Sequence, residues 1–413
     1  MDYGLIGERL EHSYSAEIHR LLRGYDYRLR PLPRGALPGF FARRDFRGIN
    51  VTIPYKRDVI PFCDALGETA QRAGSVNTVI KREDGTLFGD NTDLAGFNYM
   101  LRGEGIALAG REVLILGSGG ASLTAQLAAA DAHAAKVTVV SRDGEVNYAN
   151  APARCPGAQV IINATPVGMY PHAGECPIDP ALFTRAEAAA DMIYNPLRSR
   201  FLQRAAALGL RRADGLAMLV AQAEESAILF TGVRVNPGAV ERVLDTMRRG
   251  KENWVLIGMP GCGKSTVGKY LAEAAGRPFA DTDALAEKEV GMPLPEHFAR
   301  CGEAAFREVE ARVIEEIGAK TGLVIATGGG AVLREENVAA LRQNGRLLWI
   351  QRPAELLAQA GRPLSAGLEA LREMERRRLP LYSNAADMHI YHEEDWERVQ
   401  REALRLFKEG EST

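Results

Sequence analysis

At 413 residues the chain is too long for one ordinary core, and at about 150 residues per domain it should hold two or three. Its 46% hydrophobic and 25% charged residues suit a folded globular protein, and a net charge of −2 excludes a general attraction to nucleic acid or to an anionic membrane, so any anion site is local. Five widely spaced cysteines without a CxxC pair argue against a disulfide framework or a zinc site, and no apolar run nears ~18 residues and no basic, apolar leader opens the chain, so a soluble cytoplasmic protein is expected.

Short β-rich runs alternate with helical stretches, which predicts parallel sheets covered by helices, an α/β protein. Residues 1–100 form a lobe of their own, with polar clusters at His12-Ser13-Tyr14-Ser15, Gly48 to Lys56, Val76-Asn77-Thr78 and Gly89 to Asp93. The strand Val113 to Leu116 then runs into Gly117-Ser118-Gly119-Gly120-Ala121 and a helical stretch, the pattern of a dinucleotide turn. A second strand, Val137 to Val140, ends in Ser141-Arg142. Arginine there suits the 2′-phosphate of NADP, whereas the adjoining Asp143 leaves NAD open. Residues 101–214 are accordingly expected as a Rossmann-type lobe, with helices from about 215–247 returning to complete the first lobe. The polar stretch Arg248 to Asn253 is expected as a linker.

Beyond the linker, residues 254–408 are expected as a P-loop domain. The strand Trp254 to Ile257 precedes Gly258-Met259-Pro260-Gly261-Cys262-Gly263-Lys264-Ser265, which fits GxxxxGK[ST] with Thr266 following. Its backbone N–H groups should cradle the phosphates of ATP, with Lys264 reaching the β- and γ-phosphates and the Ser265 hydroxyl on Mg2+. Asp281 and Asp283 are expected at a strand end facing the same way, one near magnesium and one near a hydroxyl, or else merely solvated. Arg307 and Glu310 share a helical face, where the glutamate can steer the guanidinium toward a carboxylate or form a plain surface pair. Thr327-Gly328-Gly329-Gly330 allows close backbone approach to a ligand, and Arg362 and Arg378 each stand beside a rigid turn.

In this order the C-terminal motifs, GxxGxGKS, DTD, GExxFRxxE, TGGG, RPL and RxPxY, resemble shikimate kinase from about residue 253 to 400. The resemblance implies that Asp283, Arg307, Gly329 and Arg378 hold shikimate, with Asp283 orienting the attacking 3-hydroxyl. It also implies that Gly261, Cys262, Gly263, Lys264, Ser265, Thr266 and Arg362 bind ATP, and that Asp281 supports magnesium. The chain departs from the family in lacking an arginine between Ala354 and Gly361.

The N-terminal clusters, together with Asn163-Ala164-Thr165-Pro166-Val167-Gly168-Met169, Asp191 to Pro196 and Gly215 to Ala223, resemble shikimate dehydrogenases from about residue 3 to 245. By that resemblance Ser13 and Ser15 bind a carboxylate, and Thr52, Lys56, Asn77, Asp93, Tyr194 and Gln222 surround the ring. Gly117, Ser118, Gly119, Gly120, Ala121, Ser141, Arg142, Thr165, Gly215 and Met218 line NADP(H). Ketone reduction needs a hydride and a proton, and Lys56 beside Asp93 can supply the charge or the proton; read alone, the two are better taken as a surface lysine and an N-cap aspartate, and their weight comes from the accompanying motifs. Ala16, Leu123 and a short stretch from Tyr25 to Phe46 depart from the family. The expected function is therefore bifunctional, with 3-dehydroshikimate and shikimate as the small-molecule partners. The alternatives are an NAD-using quinate/shikimate dehydrogenase in the first half, or a ligand sensor that retains both folds. Neither nucleic acid nor membrane is an expected partner, and the oligomeric state is not legible.

Overall fold

Continuous apolar runs make strands buried on both faces, and alternation with helices makes those strands parallel. Among the residues described by the computed structural model (2–10, 13–234, 236–357, 368–393 and 395–409), sixteen strands form three sheets. The chain divides into two compact units. One comprises Met1–Met169, Glu175–Asn195 and Phe201–Met247; the other comprises Tyr170–Gly174, Pro196–Arg200 and Arg248–Thr413.

The first unit holds two sheets. One contains β1 (Tyr3–Gly7), β2 (Tyr27–Pro31), β3 (Gly48–Val51), β4 (Ala65–Leu66), β5 (Thr78–Lys81) and β6 (Leu87–Asp90), in the order β2-β1-β3-β5-β6-β4. It is mixed rather than parallel throughout, because β5 runs antiparallel to both β3 and β6. The short turn between β5 and β6, closed by Gly85 at φ 81°, needs no crossover helix. Helix Gly215–Thr231 packs on β3 and β5 and on helices Ser15–Arg23 and Asp93–Gly103. Gly96 permits the last contact, since a Cβ there would press into the Met218 carbonyl and Gln222. The short stretch from Tyr25 to Phe46 keeps a seven-residue helix, Leu37–Arg43, which buries Leu37, Phe40 and Phe41 against Phe46 and Phe62.

His19, on helix Ser15–Arg23, is buried in an aromatic cluster, stacked on Tyr27 with centroids 4.0 Å apart and with Nδ1 2.7 Å from the Tyr25 hydroxyl. Burial pushes it down from 6.5 to about 3. The folded imidazole stays neutral where the unfolded one binds a proton, so stability present at pH 7 is lost as the pH falls below 6.5. At pH 5 the loss is about 2 kcal/mol. Denaturant unfolding of His19→Gln beside the unmutated chain should show the stability difference between them shrinking by about that amount from pH 7 to pH 5. A difference that does not change with pH contradicts the neutral buried imidazole.

The second sheet of this unit contains β7 (Glu112–Leu116), β8 (Lys136–Val140), β9 (Val160–Asn163), β10 (Ala188–Asp191) and β11 (Arg211–Ala213), all parallel in the order β11-β10-β9-β7-β8. The chain leaves β7 to one side for β8 and returns on the other for β9. This reversal opens a crevice at the carboxyl ends of β7 and β9.

The second unit has one parallel sheet of β12 (Asn253–Ile257), β13 (Phe279–Asp281), β14 (Val324–Ala326), β15 (Gly345–Gln351) and β16 (Met388–Tyr391), ordered β13-β14-β12-β15-β16. All five residues of β12 are buried, and its switch point lies at their carboxyl end. The linker expected at 248–253 is a correction. Helix Ala239–Lys251 takes up its first four residues and β12 begins at Asn253. Arg248, Arg249 and Lys251 fill the last helical turn, where cations suit the helix dipole, and the single Gly250 costs only about 1 kcal/mol.

Candidate active sites

At the crevice of the second sheet, the Gly117 amide bonds the Val140 carbonyl at 2.8 Å, and a Cβ on Gly117 would strike Thr165. The turn at Gly117, the tip of β8 with Ser141 and Arg142, and the loop after β9 with Thr165 therefore meet at one place. Gly117 sits at φ 101°, a conformation L side chains avoid. Ser118, Gly119, Gly120 and Ala121 are exposed where helix Gly120–Asp131 begins, and a Cβ on Gly119 or Gly120 would meet open space. Free backbone N–H groups at a helix N-terminus fit the pyrophosphate of a dinucleotide. Asn163 braces the crevice, accepting from the Thr165 hydroxyl at 2.7 Å and donating to Asp191 at 3.0 Å. Gly215 donates to the Ile193 carbonyl at 3.0 Å, and Met218 follows it on the same helix.

In the first lobe, Lys56 Nζ lies 2.6 Å from Asp93 Oδ2, with 30% and 15% of the side chains exposed. Asp93 opens helix Asp93–Gly103, and its amide is held by Asn91 Oδ1 at 2.9 Å. Its second oxygen accepts from Asn77 Nδ2 at 2.8 Å. Asn77 also bonds Thr92, and the Thr92 hydroxyl reaches Gln222 at 3.3 Å and Ser226 at 3.1 Å. Lys56, Asn77, Asp93 and Gln222 thus form one hydrogen-bonded group. Asn91 and Thr92, which complete it, stood in a motif without a role; Ser226 had no sequence signal. Ser13 and Ser15 pair with each other at 3.2 Å. Between them Tyr14 packs on Tyr194, centroids 5.3 Å apart, and burial pushes the Tyr14 phenol up to about 12. Burial raises Tyr194 as well. Thr52 follows β3, its amide donating to the Ile6 carbonyl at 3.0 Å.

In the second unit the loop after β12 is wound through Gly258, Gly261 and Gly263 at φ 146°, 84° and 93°, and helix Lys264–Ala275 follows directly. Lys264 is buried, with Nζ donating to the Gly258 and Met259 carbonyls at 2.9 Å each, so its ammonium lies within the loop. Cys262 is buried within the loop, whereas Thr266 is exposed. The Ser265 hydroxyl donates to Asp281 Oδ2 at 2.6 Å. A hydroxyl and a carboxylate side by side below a phosphate loop fit the hard-oxygen demand of Mg2+. Asp281 and Asp283 do not share a strand face as expected. β13 ends at Asp281, which caps helix Thr282–Val290 by accepting from the Asp283 amide at 3.0 Å, so Asp283 stands in the first helical turn. An aspartate placed to cap a helix starts the helix early.

A cavity of about 380 Å³ beside the loop is lined by Asp283, Arg307, Glu310, Gly329 and Arg378 together with Ser265 and Asp281. Arg307 and Glu310 are 8% and 2% exposed and 2.7 Å apart, a buried pair rather than a surface one. Burial pushes the Glu310 carboxyl up, against the pull of Arg307. Arg378 and the Tyr382 hydroxyl both donate to the Gly329 carbonyl, at 2.9 and 2.6 Å. The stretch holding Arg378 and Pro380 lies inside helix Leu368–Ala385, not beside a turn as expected. Tyr382 stood in the RxPxY motif without a role. Arg362 lies outside the described residues.

The family model described as shikimate dehydrogenase substrate binding domain matches residues 5–79, and that described as shikimate kinase matches residues 260–408. The chain is similar to the shikimate dehydrogenase (NADP(+)) of Clostridium perfringens, 32% identical over 274 residues, covering 60% of this chain and 98% of that protein. It is 36% identical over 257 residues to the Thermus thermophilus protein of the same name, covering 58% of this chain and 95% of the relative. Among solved structures, shikimate 5-dehydrogenase of Thermus thermophilus in complex with NADP(H) and shikimate aligns with a TM-score of 0.54 at 34% identity, covering 60% of this chain and 99% of that one. A chorismate mutase/shikimate 5-dehydrogenase fusion protein from Clostridium acetobutylicum aligns with a TM-score of 0.56 at 34% identity, over 59% of this chain and 96% of that one. No helix among the described residues is long and apolar enough to cross a membrane.

Proposed function

Because the chain belongs to the shikimate dehydrogenase family and continues into a shikimate kinase domain, we propose that it reduces 3-dehydroshikimate to shikimate with NADPH and then phosphorylates the shikimate 3-hydroxyl with ATP. The observation that carries the reading is the presence, in separate units of one chain, of the Lys56–Asp93 pair and of the Lys264, Ser265 and Asp281 constellation.

NADPH supplies the hydride when bound. Lys56 stands by the ketone oxygen, where its ammonium offsets the developing negative charge and delivers the proton. Asp93 keeps that ammonium in place and, with Asn77 and Gln222, holds the ring hydroxyls. The hydroxyls of Ser13 and Ser15 take the substrate carboxylate through modest hydrogen bonds. In the kinase unit, Mg-ATP supplies the phosphoryl group. Arg307 and Arg378 grip the carboxylate of shikimate, and Glu310 fixes the Arg307 fork. Asp283 orients the 3-hydroxyl and accepts its proton, while Lys264 meets the charge on the transferred phosphoryl. Ser265 and Asp281 would hold Mg2+.

Arg142 is exposed just beyond the tip of β8, where it would meet the 2′-phosphate of NADPH. Arg142→Ala is expected to raise KM for NADPH by about one to two decades, the worth of a lost charge-assisted contact, and to leave KM for NADH nearly unchanged. Equal effects on both cofactors contradict this role and restore the NAD-using reading that Asp143 suggests. Substrate choice is tested by comparing kcat/KM for 3-dehydroshikimate and 3-dehydroquinate, where a preference of about a hundredfold or more for the former is expected. Comparable values would favour the quinate/shikimate dehydrogenase.

A further inference from the structure

The first unit carries a cavity of about 490 Å³ that neither proposed reaction uses. Three guanidinium groups line it, Arg23, Arg234 and Arg242, with Asn236 and Thr246 as neutral polar groups; no carboxylate is among the lining residues described. Arg23 ends helix Ser15–Arg23 with its side chain 10% exposed. Its Nη2 donates to Glu224 at 3.2 Å and to the Val233 carbonyl, and its Nε is shielded without a hydrogen-bond partner in the protein. Arg234 reaches Glu225 only at 3.7 Å with 76% of its side chain exposed, and Arg242 makes one long bond, 3.4 Å, to the Pro237 carbonyl. Contacts of that exposure and length hold a guanidinium weakly, so both arginines can turn to a ligand.

We propose that this cavity binds a small multivalent anion carrying phosphate or carboxylate groups, and that its occupancy bears on the helices that carry Ser15 and Gln222. Planar guanidinium forks match such groups two bonds at a time, and the volume is that of an organic ligand rather than a lone ion. Ser15 opens the helix that Arg23 ends, and Glu224 stands two residues beyond Gln222 on helix Gly215–Thr231. An anion that draws the Arg23 guanidinium competes with Glu224, which is only 6% exposed, and so shifts the contact between those two helices. The inference is independent of the substrates proposed above.

The test is hydrogen exchange on the full chain with and without inorganic pyrophosphate, with sulfate at matched ionic strength as the screening control. Slowed exchange in peptides covering 15–24 and 236–247 is expected with pyrophosphate. The charge reversal Arg234→Glu with Arg242→Glu, on two exposed side chains, should weaken that protection by about tenfold or more in concentration while leaving the melting temperature in place. Protection confined to 258–266 means that the ion occupies the phosphate loop alone and overturns the proposal. Protection at 15–24 and 236–247 that survives the double reversal, or that sulfate reproduces, overturns it as well.

Discussion

Lys56→Ala is expected to slow NADPH oxidation with 3-dehydroshikimate by about 10²–10⁴-fold, the worth of a positioned proton donor, while phosphorylation of added shikimate stays within about twofold. The lysine Nζ is 2.6 Å from Asp93, whose carboxylate also accepts from Asn77 and whose backbone N–H donates to Asn91 Oδ1. Truncation removes the cation but leaves this frame, because Asn77 retains Thr92 and Asp93 retains Asn77. The variant should therefore fold, with KM for 3-dehydroshikimate moving less than kcat. A matched loss of both activities in a folded protein would mean that Lys56 acts on the whole chain rather than on one reaction.

Lys264→Ala is expected to do the reverse. Removing one cation aimed at a transferring phosphoryl group costs about 10²–10³-fold in kcat, and dehydrogenase activity should not change. Lys264 is buried, and its loss also strips a donor from the Gly258 and Met259 carbonyls, so the loop can distort. Lys264→Arg separates the two effects, since it keeps a charge and donors but not the point ammonium. If both variants kept full kinase activity, the loop at 258–265 would not be the nucleotide site.

Much of this was legible because glycine and charge patterns report local geometry. Gly117 and the glycines from Gly258 to Gly263 announced turns, found at positive φ at Gly117, Gly258, Gly261 and Gly263, and each turn follows the carboxyl end of an interior strand. What the sequence hid was set by tertiary contact or by competing local rules. The Asp281 carboxylate turned to capping and pulled Asp283 from the strand into the helix. Basic residues at the end of helix Ala239–Lys251 carried it into the expected linker. Ser226 joins Thr92 and Asn50 only because helix Gly215–Thr231 lies on β3 and β5, a pairing more than a hundred residues apart that no local spacing encodes. The burial of Arg307 and Glu310 likewise depends on the glycine loop after β14, where a Cβ on Gly330 would strike Arg307 and one on Gly328 would strike Glu310, so an i,i+3 spacing could not tell it from a surface pair.

The central claim is that two consecutive reactions belong to one chain, and a single coupled assay tests it most directly. The purified protein is incubated with 3-dehydroshikimate, NADPH and Mg-ATP, and both products are resolved over time. Shikimate should form in step with NADPH oxidation and then give way to shikimate 3-phosphate in step with ADP release. NADPH oxidation without any phosphorylated product, or ADP release from added shikimate without any reduction of 3-dehydroshikimate, would contradict the claim.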